Sequence, residues 1–254
     1  MFNIVFQLNF FYDPLEQFAI VPLFWSHIMC PSQITNLTLI LVLNLFLIHF
    51  VIAEIYNQSE SNIWIVLLKS LYGVVKNIIK SNTTLKRYQY FSILLFLFLF
   101  IFVSNLVGLI PYSFTLTSSF VVTFFLALTH FIGINIIGLT EQRWKFFNLF
   151  LPSGVPLAIA PILIPIEFVS YLARVFSLSI RLFANMMSGH ALLKILIGFS
   201  WTLLGSGILS AGIALFPWLI VTAIMFLELL IAFLQAYVFV ILIAIYINDV
   251  ISMH

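Results

Sequence analysis

Long apolar runs are the feature that most constrains what this chain can fold into. Hydrophobic residues make up 63% of its 254 residues and charged residues only 7%, and a water-soluble domain of this size cannot hide so much apolar surface. The runs exceed the about 9 to 11 residues of a membrane-barrel strand. Helices, which satisfy their own backbone hydrogen bonds inside lipid, are the alternative. The sequence therefore predicts an all-α polytopic membrane protein.

The apolar runs and the helix-breaking residues predict a single membrane domain over residues 1–254. Five crossing segments are expected, at 34–53, 91–110, 118–139, 162–201 and 217–247. Gly205, Gly207 and Gly212 predict the last turn, and Pro217 predicts the start of the last helix. At about 1.5 Å per residue the last two helices exceed a hydrocarbon core of about 30 Å. They are expected to form a long, strongly tilted hairpin, although shorter spans with hidden breaks remain an alternative.

Residues 61–80 differ from the crossing segments because their charged residues lie on one face. At 100° per residue, Lys69, Lys76 and Lys80 fall within one narrow arc. Leu71 and Ile78 lie opposite. This pattern predicts an amphipathic interfacial helix on a membrane surface, with an ordinary soluble helix packed on its neighbours as the alternative.

The basic residues near the predicted span ends suggest an orientation. They lie between the first and second spans and between the third and fourth, at Lys69, Lys76, Lys80, Lys86, Arg87, Arg143 and Lys145. Because basic loops remain on the inner side, we expect the N-terminus outside and the C-terminus inside.

Composition argues against several classes of function. The net charge is only +2, and the basic residues form no patch interleaved with aromatic residues, so a nucleic-acid partner is not expected. Cys30 is the single cysteine and cannot form an internal disulfide. No cysteine and histidine spacing suits zinc. The sequence predicts no metal, no cofactor and no catalytic residue.

A polar ribbon runs along the predicted helix 162–201. Its members recur every three or four residues and so share one side of a helix: Glu167, Ser170, Arg174, Ser177, Arg181, Asn185 and Ser188. On the last helix, Glu228 and Gln235 are seven residues apart and also share a face. A charged side chain at mid-membrane costs about 2.5 to 3.5 kcal/mol on insertion scales. The ribbon is therefore expected to face protein, a partner or water.

Structural explanations exist for the individual members of this ribbon. Glu167 and Arg174 could neutralise each other, serines often bond to their own helix, and His190 could hydrogen-bond at a helix junction. Alignment over several turns favours a path for a small charged species.

Several stretches resemble subunit a of the F-type ATP synthase. "FSLSIRLFANMMSGH" and "ELLIAFLQAYVF" carry the strongest similarity. The same resemblance extends to "DPLEQFAI", "SNLVGLIPYSFTLTS", "LPSGVPL" and "ILIAIYIND", so it covers essentially the whole chain. It implies a tilted helix hairpin against a rotating ring of c subunits.

The resemblance also implies roles for residues at matching positions. Arg181 corresponds to the essential arginine, Asn185 to the polar residue one turn later, and Gln235 to the residue that supports the arginine. His190 and Glu228 resemble the interacting pair of the proton-intake half-channel, in the mitochondrial arrangement. Glu167 resembles the carboxylate of the exit half-channel. Arg174, which falls where some mitochondrial members carry arginine, is a secondary candidate together with Ser177 and Ser188.

We therefore expect two offset proton half-channels that couple proton flow to ring rotation and ATP synthesis, in a subunit that itself does no nucleotide chemistry. The expected partners are the c-ring, other stator and membrane-sector subunits, and the lipid bilayer. The mitochondrial inner membrane is expected ahead of a bacterial plasma membrane. The alternative is a stand-alone ion channel or secondary transporter, although no internal repeat supports it.

Overall fold

The computed structural model describes residues 16–22, 34–56, 63–82, 89–110, 113–143, 146, 160–205 and 208–251. Within these ranges the chain is almost entirely helical, and the prediction of an all-α membrane fold is confirmed. Two short 3₁₀ turns, Glu16–Phe18 and Leu116–Ser118, accompany six α-helices. The helices are α1 (Asn36–Tyr56), α2 (Ile63–Asn82), α3 (Phe91–Gly108), α4 (Phe120–Gln142), α5 (Ala160–Gly205) and α6 (Ile208–Ile251).

Five of these helices, all except α2, are long and apolar enough to cross a membrane. At about 1.5 Å per residue, α5 and α6 reach about 69 and 66 Å. A hydrocarbon core is about 30 Å thick, so helices of this length must tilt or extend beyond it. The tilt itself stays a prediction.

The last turn is shorter than the sequence suggested, and that prediction was wrong. Helix α6 begins at Ile208, so Gly212 and Pro217 lie inside a helix rather than in a turn or at its start. Glycine is permitted in either setting, and membrane helices tolerate proline because neighbouring groups satisfy the freed carbonyl. Pro165 likewise lies inside α5.

Helix α1 starts at a capping box formed by two threonines. The Thr38 backbone N–H donates to Thr35 Oγ1 at 3.4 Å, and the Thr35 N–H donates to Thr38 Oγ1 at 3.0 Å. This reciprocal pair satisfies two donors that a helix start leaves free.

Helix α3 lies at the centre of the bundle. Ten of its residues are buried, including Phe98, Ser104, Asn105 and Gly108. It packs against α1, α2 and α6, and the turn Leu116–Ser118 packs against its end. Helices α5 and α6 pack along each other as the predicted hairpin, with α4 against both.

Helix α2 packs one side on the bundle through Leu71, Val75, Ile78 and Ile79, all buried. Lys76 and Lys80 are exposed and Lys69 is half-buried. Its position on a membrane surface stays a prediction.

Candidate functional site

Some residues of the polar ribbon on α5 are exposed, and the others are half-buried. Ser170, Ser177, Arg181 and Ser188 are exposed. Glu167, Arg174 and Asn185 are half-buried. At about 1.5 Å per residue, Arg181 lies about 21 Å along α5 from Glu167 and about 14 Å from His190. Arg181 thus separates two groups of titratable side chains along one helix.

Arg181 makes no ion pair with any residue in the described ranges. It lines an open groove of about 290 Å³ between α5 and α6 together with Ser170, Ala173, Arg174, Ser177, Leu178, Leu242 and Tyr246. Its neighbour Ile180 is 48% exposed. The guanidinium therefore lies on an open face with no acid of its own chain among the described residues to neutralise it.

Glu228 of α6 is buried, with only 7% of its surface exposed. Its carboxylate lies directly against the backbone of Gly189 on α5, so closely that a Cβ at that position would overlap Oε1. Neither oxygen has a hydrogen-bond partner among the described residues. A buried polar group without a partner is costly, so this position suits a group that exchanges protons or meets water.

His190 follows Gly189 and lies beside the Glu228 site. Its Nε2 atom is buried and also has no hydrogen-bond partner in the described part of the chain. A Cβ built on Gly108 would lie 3.8 Å from that atom and would overlap the Thr115 methyl group. Glu228 therefore packs on the residue that precedes His190 in the chain, and the His190 imidazole lies near the α3 end; no hydrogen bond joins the two side chains within the described ranges.

The packing of Glu228 on Gly189 also indicates where Gln235 lies. Helices α5 and α6 are antiparallel, and seven residues along each from this contact lead to residue 182 and Gln235. Two helical turns of equal rise bring these positions opposite each other. Gln235 is thus level with residues 181 and 182 along the hairpin, and no hydrogen bond joins it to Arg181 within the described ranges.

A second group of polar side chains surrounds Arg174. A guanidinium nitrogen lies 3.9 Å from Glu167 Oε1, and its carbon lies 5.1 Å from the ring centroid of Tyr246. Asp249, near the end of α6, lies within electrostatic range of Arg174 but forms no ion pair with it in the described ranges. This group joins an acid of α5, a cation and an acid of α6, far along the hairpin from His190.

Tyr171 connects this second group to α4. Its hydroxyl donates to Asn135 Oδ1 at 2.6 Å, and its ring lies 5.7 Å from the Arg174 guanidinium carbon. His130 lines the same small cavity as Tyr171 and Arg174. Its Nδ1 atom lies 2.7 Å from the Leu126 carbonyl, the structural contact expected of a histidine packed in a helix bundle.

Asp249, Tyr171 and Asn105 contribute to these sites but were missed from the sequence. Asp249 is within "ILIAIYIND", and Tyr171 is one residue from the ribbon, yet only tertiary packing brings them to Arg174. Asn105 Nδ2 donates to the Ala232 carbonyl at 3.3 Å, and Asn105 Oδ1 accepts from Thr117 Oγ1 at 2.9 Å. The sequence signal that could have identified Asn105 is a single asparagine within an apolar run.

The sequence of this chain is similar to those of known proteins. The sequence profile of the family described as ATP synthase A chain matches residues 35–248. The chain belongs to the ATP synthase A chain family. It is 49% identical to ATP synthase subunit a of Chondrus crispus over 245 residues, which cover 95% of this chain and 97% of the relative.

Other ATP synthase A chain relatives match over similar lengths. ATP synthase subunit a of Marchantia polymorpha is 45% identical over 251 residues, covering 95% of this chain and 99% of the relative. The subunit a of Emericella nidulans is 41% identical over 258 residues, covering 98% and 100%. The resemblance inferred from the sequence motifs is thereby confirmed at the level of the family.

Proposed function

We propose that this chain forms two offset proton half-channels against a ring of c subunits and couples proton flow to ring rotation and ATP synthesis. The observation that carries the proposal is the exposed Arg181 guanidinium, which has no ion-pair partner among the described residues and lies between two groups of titratable side chains. Lipid does not accommodate a bare arginine without a cost of about 2.5 to 3.5 kcal/mol. A partner that presents a carboxylate accounts for its position.

Arg181 acts in this scheme as a barrier and a counter-charge. A guanidinium does not give up its proton in a protein, so it cannot pass protons along. A rotor carboxylate beside it is stable when ionised, whereas the same carboxylate facing lipid is stable when protonated. Passage beyond Arg181 therefore requires release of a proton on one side and uptake on the other.

Each of the two groups of titratable side chains serves one of the two half-channels. Glu228, packed on Gly189, and His190, the next residue along α5, are suited to accept incoming protons, and an imidazole changes charge near neutral pH. Glu167, with Arg174 and Asp249, is suited to the exit side. Asn185 and Gln235 flank Arg181, while Ser177 lines its groove and Ser188 lies one turn beyond Asn185. The coupling is electrostatic and requires no covalent step in this chain.

The membrane location follows from five helices that can cross a bilayer. Within the proposal, the membrane is the mitochondrial inner membrane, and nucleotide chemistry belongs to other subunits. One charge moving through about 100 mV releases about 2.3 kcal/mol. The energy of several protons must therefore be combined through rotation of a ring to form one ATP. This requirement explains why the chain needs c subunits and further stator partners.

The Arg181→Ala variant in the assembled complex tests this proposal. We expect loss of ATP-driven proton pumping, measured by fluorescence quenching of a pH dye in reconstituted vesicles. Arg181→Lys is a sharper variant because lysine keeps the charge but can release a proton, and we expect it to be uncoupled as well. Lys80→Gln removes a charge from the exposed side of α2 and serves as the control. Undiminished pumping by Arg181→Ala would refute the proposal.

A further inference from the structure

The N-terminal segment 16–22 packs directly on the His190 site. The ring of Phe18 meets the His190 imidazole edge to face, with centroids 6.2 Å apart and planes at 62°. Phe18 is half-buried, whereas the next three residues, Ala19, Ile20 and Val21, are exposed. The segment thus turns one aromatic ring onto His190 and presents Ala19, Ile20 and Val21 outward.

Asn36 fixes this segment to the start of α1. Its side-chain oxygen accepts from the Val21 N–H at 3.3 Å, and its side-chain nitrogen donates to the Ala19 carbonyl at 3.0 Å. Its own backbone N–H donates to the Val21 carbonyl at 3.2 Å, and an isolated bridge pairs Pro22 with Thr35. These three hydrogen bonds of Asn36, of which the backbone bond belongs to the bridge, hold the backbone beside Phe18 in one position.

The other neighbours of His190 are already packed. Glu228 fills the space against Gly189, while Gly108 and Thr115 approach on the α3 side. The Thr115 hydroxyl oxygen is buried and, like His190 Nε2, has no partner in the described ranges. The site therefore contains polar atoms suited to water, and Phe18 covers it from the N-terminal segment.

We propose that Phe18, held by Asn36, is a positioning residue that fixes the His190 imidazole and restricts its access to water. The inference rests on the proposed function, in which His190 accepts protons from the outer side. An aromatic ring has no proton to exchange, so Phe18 controls how often water reaches the imidazole rather than carrying protons itself. Its removal exposes His190 and changes the rate of proton uptake.

The direct test measures chemical accessibility of His190 in the assembled complex. Diethyl pyrocarbonate modifies accessible imidazoles, and peptide mass spectrometry reports the rate at His190 separately from that at the other four histidines. We expect Phe18→Ala to raise the His190 rate several-fold. Phe18→Leu, which keeps apolar bulk, should stay near the wild-type rate, and Phe46→Ala provides a control on an exposed phenylalanine of α1.

Asn36→Ala provides a second test that leaves Phe18 and His190 unchanged. The threonine capping box of α1 remains, while Asn36 loses its two side-chain bonds to the segment and its 2.9 Å bond from the Leu37 N–H. We expect His190 modification to increase several-fold here as well. A wild-type rate in either Phe18→Ala or Asn36→Ala overturns the inference, and Asn36→Ala alone decides if Phe18→Ala does not assemble.

Passive proton flux through the membrane sector gives a functional readout. We expect Phe18→Ala to alter the pH profile of flux in the range where His190 titrates, and Phe46→Ala to leave it unchanged. An unchanged profile in Phe18→Ala overturns the kinetic part of the inference. Modification of His190 does not depend on proton transport, so failure here is distinguishable from failure of the Arg181 test.

Discussion

Gly189→Ala tests the packing between α5 and α6 at the Glu228 carboxylate. A Cβ at position 189 would overlap Oε1 and lie 3.1 Å from Cδ and 3.3 Å from Cγ of Glu228. Carbon atoms in contact are normally about 3.5 to 4.0 Å apart, so the carboxyl carbon must move by about 0.4 to 0.9 Å. The displaced group is the end of a flexible side chain, and we expect the helices to stay in place.

The functional effect should exceed the effect on stability. Displacing a reacting group by about 1 Å can lower a rate by about 100-fold, so we expect passive proton flux about 10- to 100-fold below wild type. In contrast, alanine favours a helix over glycine by up to about 1 kcal/mol. Assembly of the complex should therefore be preserved.

The assay is passive proton flux in vesicles that contain the membrane sector, driven by a potassium diffusion potential. Gly133→Ala is the matched control, because a Cβ there meets nothing within 4 Å. Adding Glu228→Asp to Gly189→Ala shortens the side chain by one methylene and should restore part of the flux. Wild-type flux in Gly189→Ala would show that the carboxylate position, as argued from the structure, does not limit proton entry.

Two further predictions concern stability. Gly138→Ala places a Cβ 2.6 Å from Val250 Cγ1 and 2.7 Å from the Phe146 ring; we expect overpacking of about 1 to 3 kcal/mol, seen as a lower melting temperature in scanning fluorimetry, with Gly133→Ala again as the control. An unchanged melting temperature would contradict this packing. Tyr171→Phe removes the 2.6 Å bond to Asn135 and should lower stability by about 0.5 to 1.5 kcal/mol. Equal stability of Tyr171→Phe and wild type would show that this bond contributes nothing net.

The fold was predictable because few backbone conformations satisfy their own hydrogen bonds inside lipid. Runs of apolar residues such as those around Phe98 had to be helices, and the motif around Arg181 identified the family. The start of α6 was misjudged because Pro217 usually begins a helix in water, whereas a long membrane helix accommodates it internally. Rules for local sequence do not include the neighbouring helices that compensate for the lost hydrogen bond.

Site residues were predictable where they repeat along one helix and not where packing brings them together. The spacing of Glu167, Arg174 and Arg181 is a property of α5 alone. In contrast, Asp249 comes within electrostatic range of Arg174 because α6 runs antiparallel to α5, and Phe18 lies against His190 in a segment that Asn36 links to α1. Such contacts depend on residues far apart in the sequence, which periodicity does not connect.

Two carbonyl groups of α6 are held by side chains from other helices. Asn105 of α3 bonds to Ala232 near the middle, and Gln142 of α4 bonds to Ile251 at the end, at 2.9 Å. Under the proposed function, this chain is stationary and contacts a rotating ring, which exerts a lateral force on it at each step of rotation. Hydrogen bonds at two separated positions along α6 oppose both sliding and rotation of this helix. The torque on α6 would therefore be transmitted to the rest of the bundle rather than bend the hairpin.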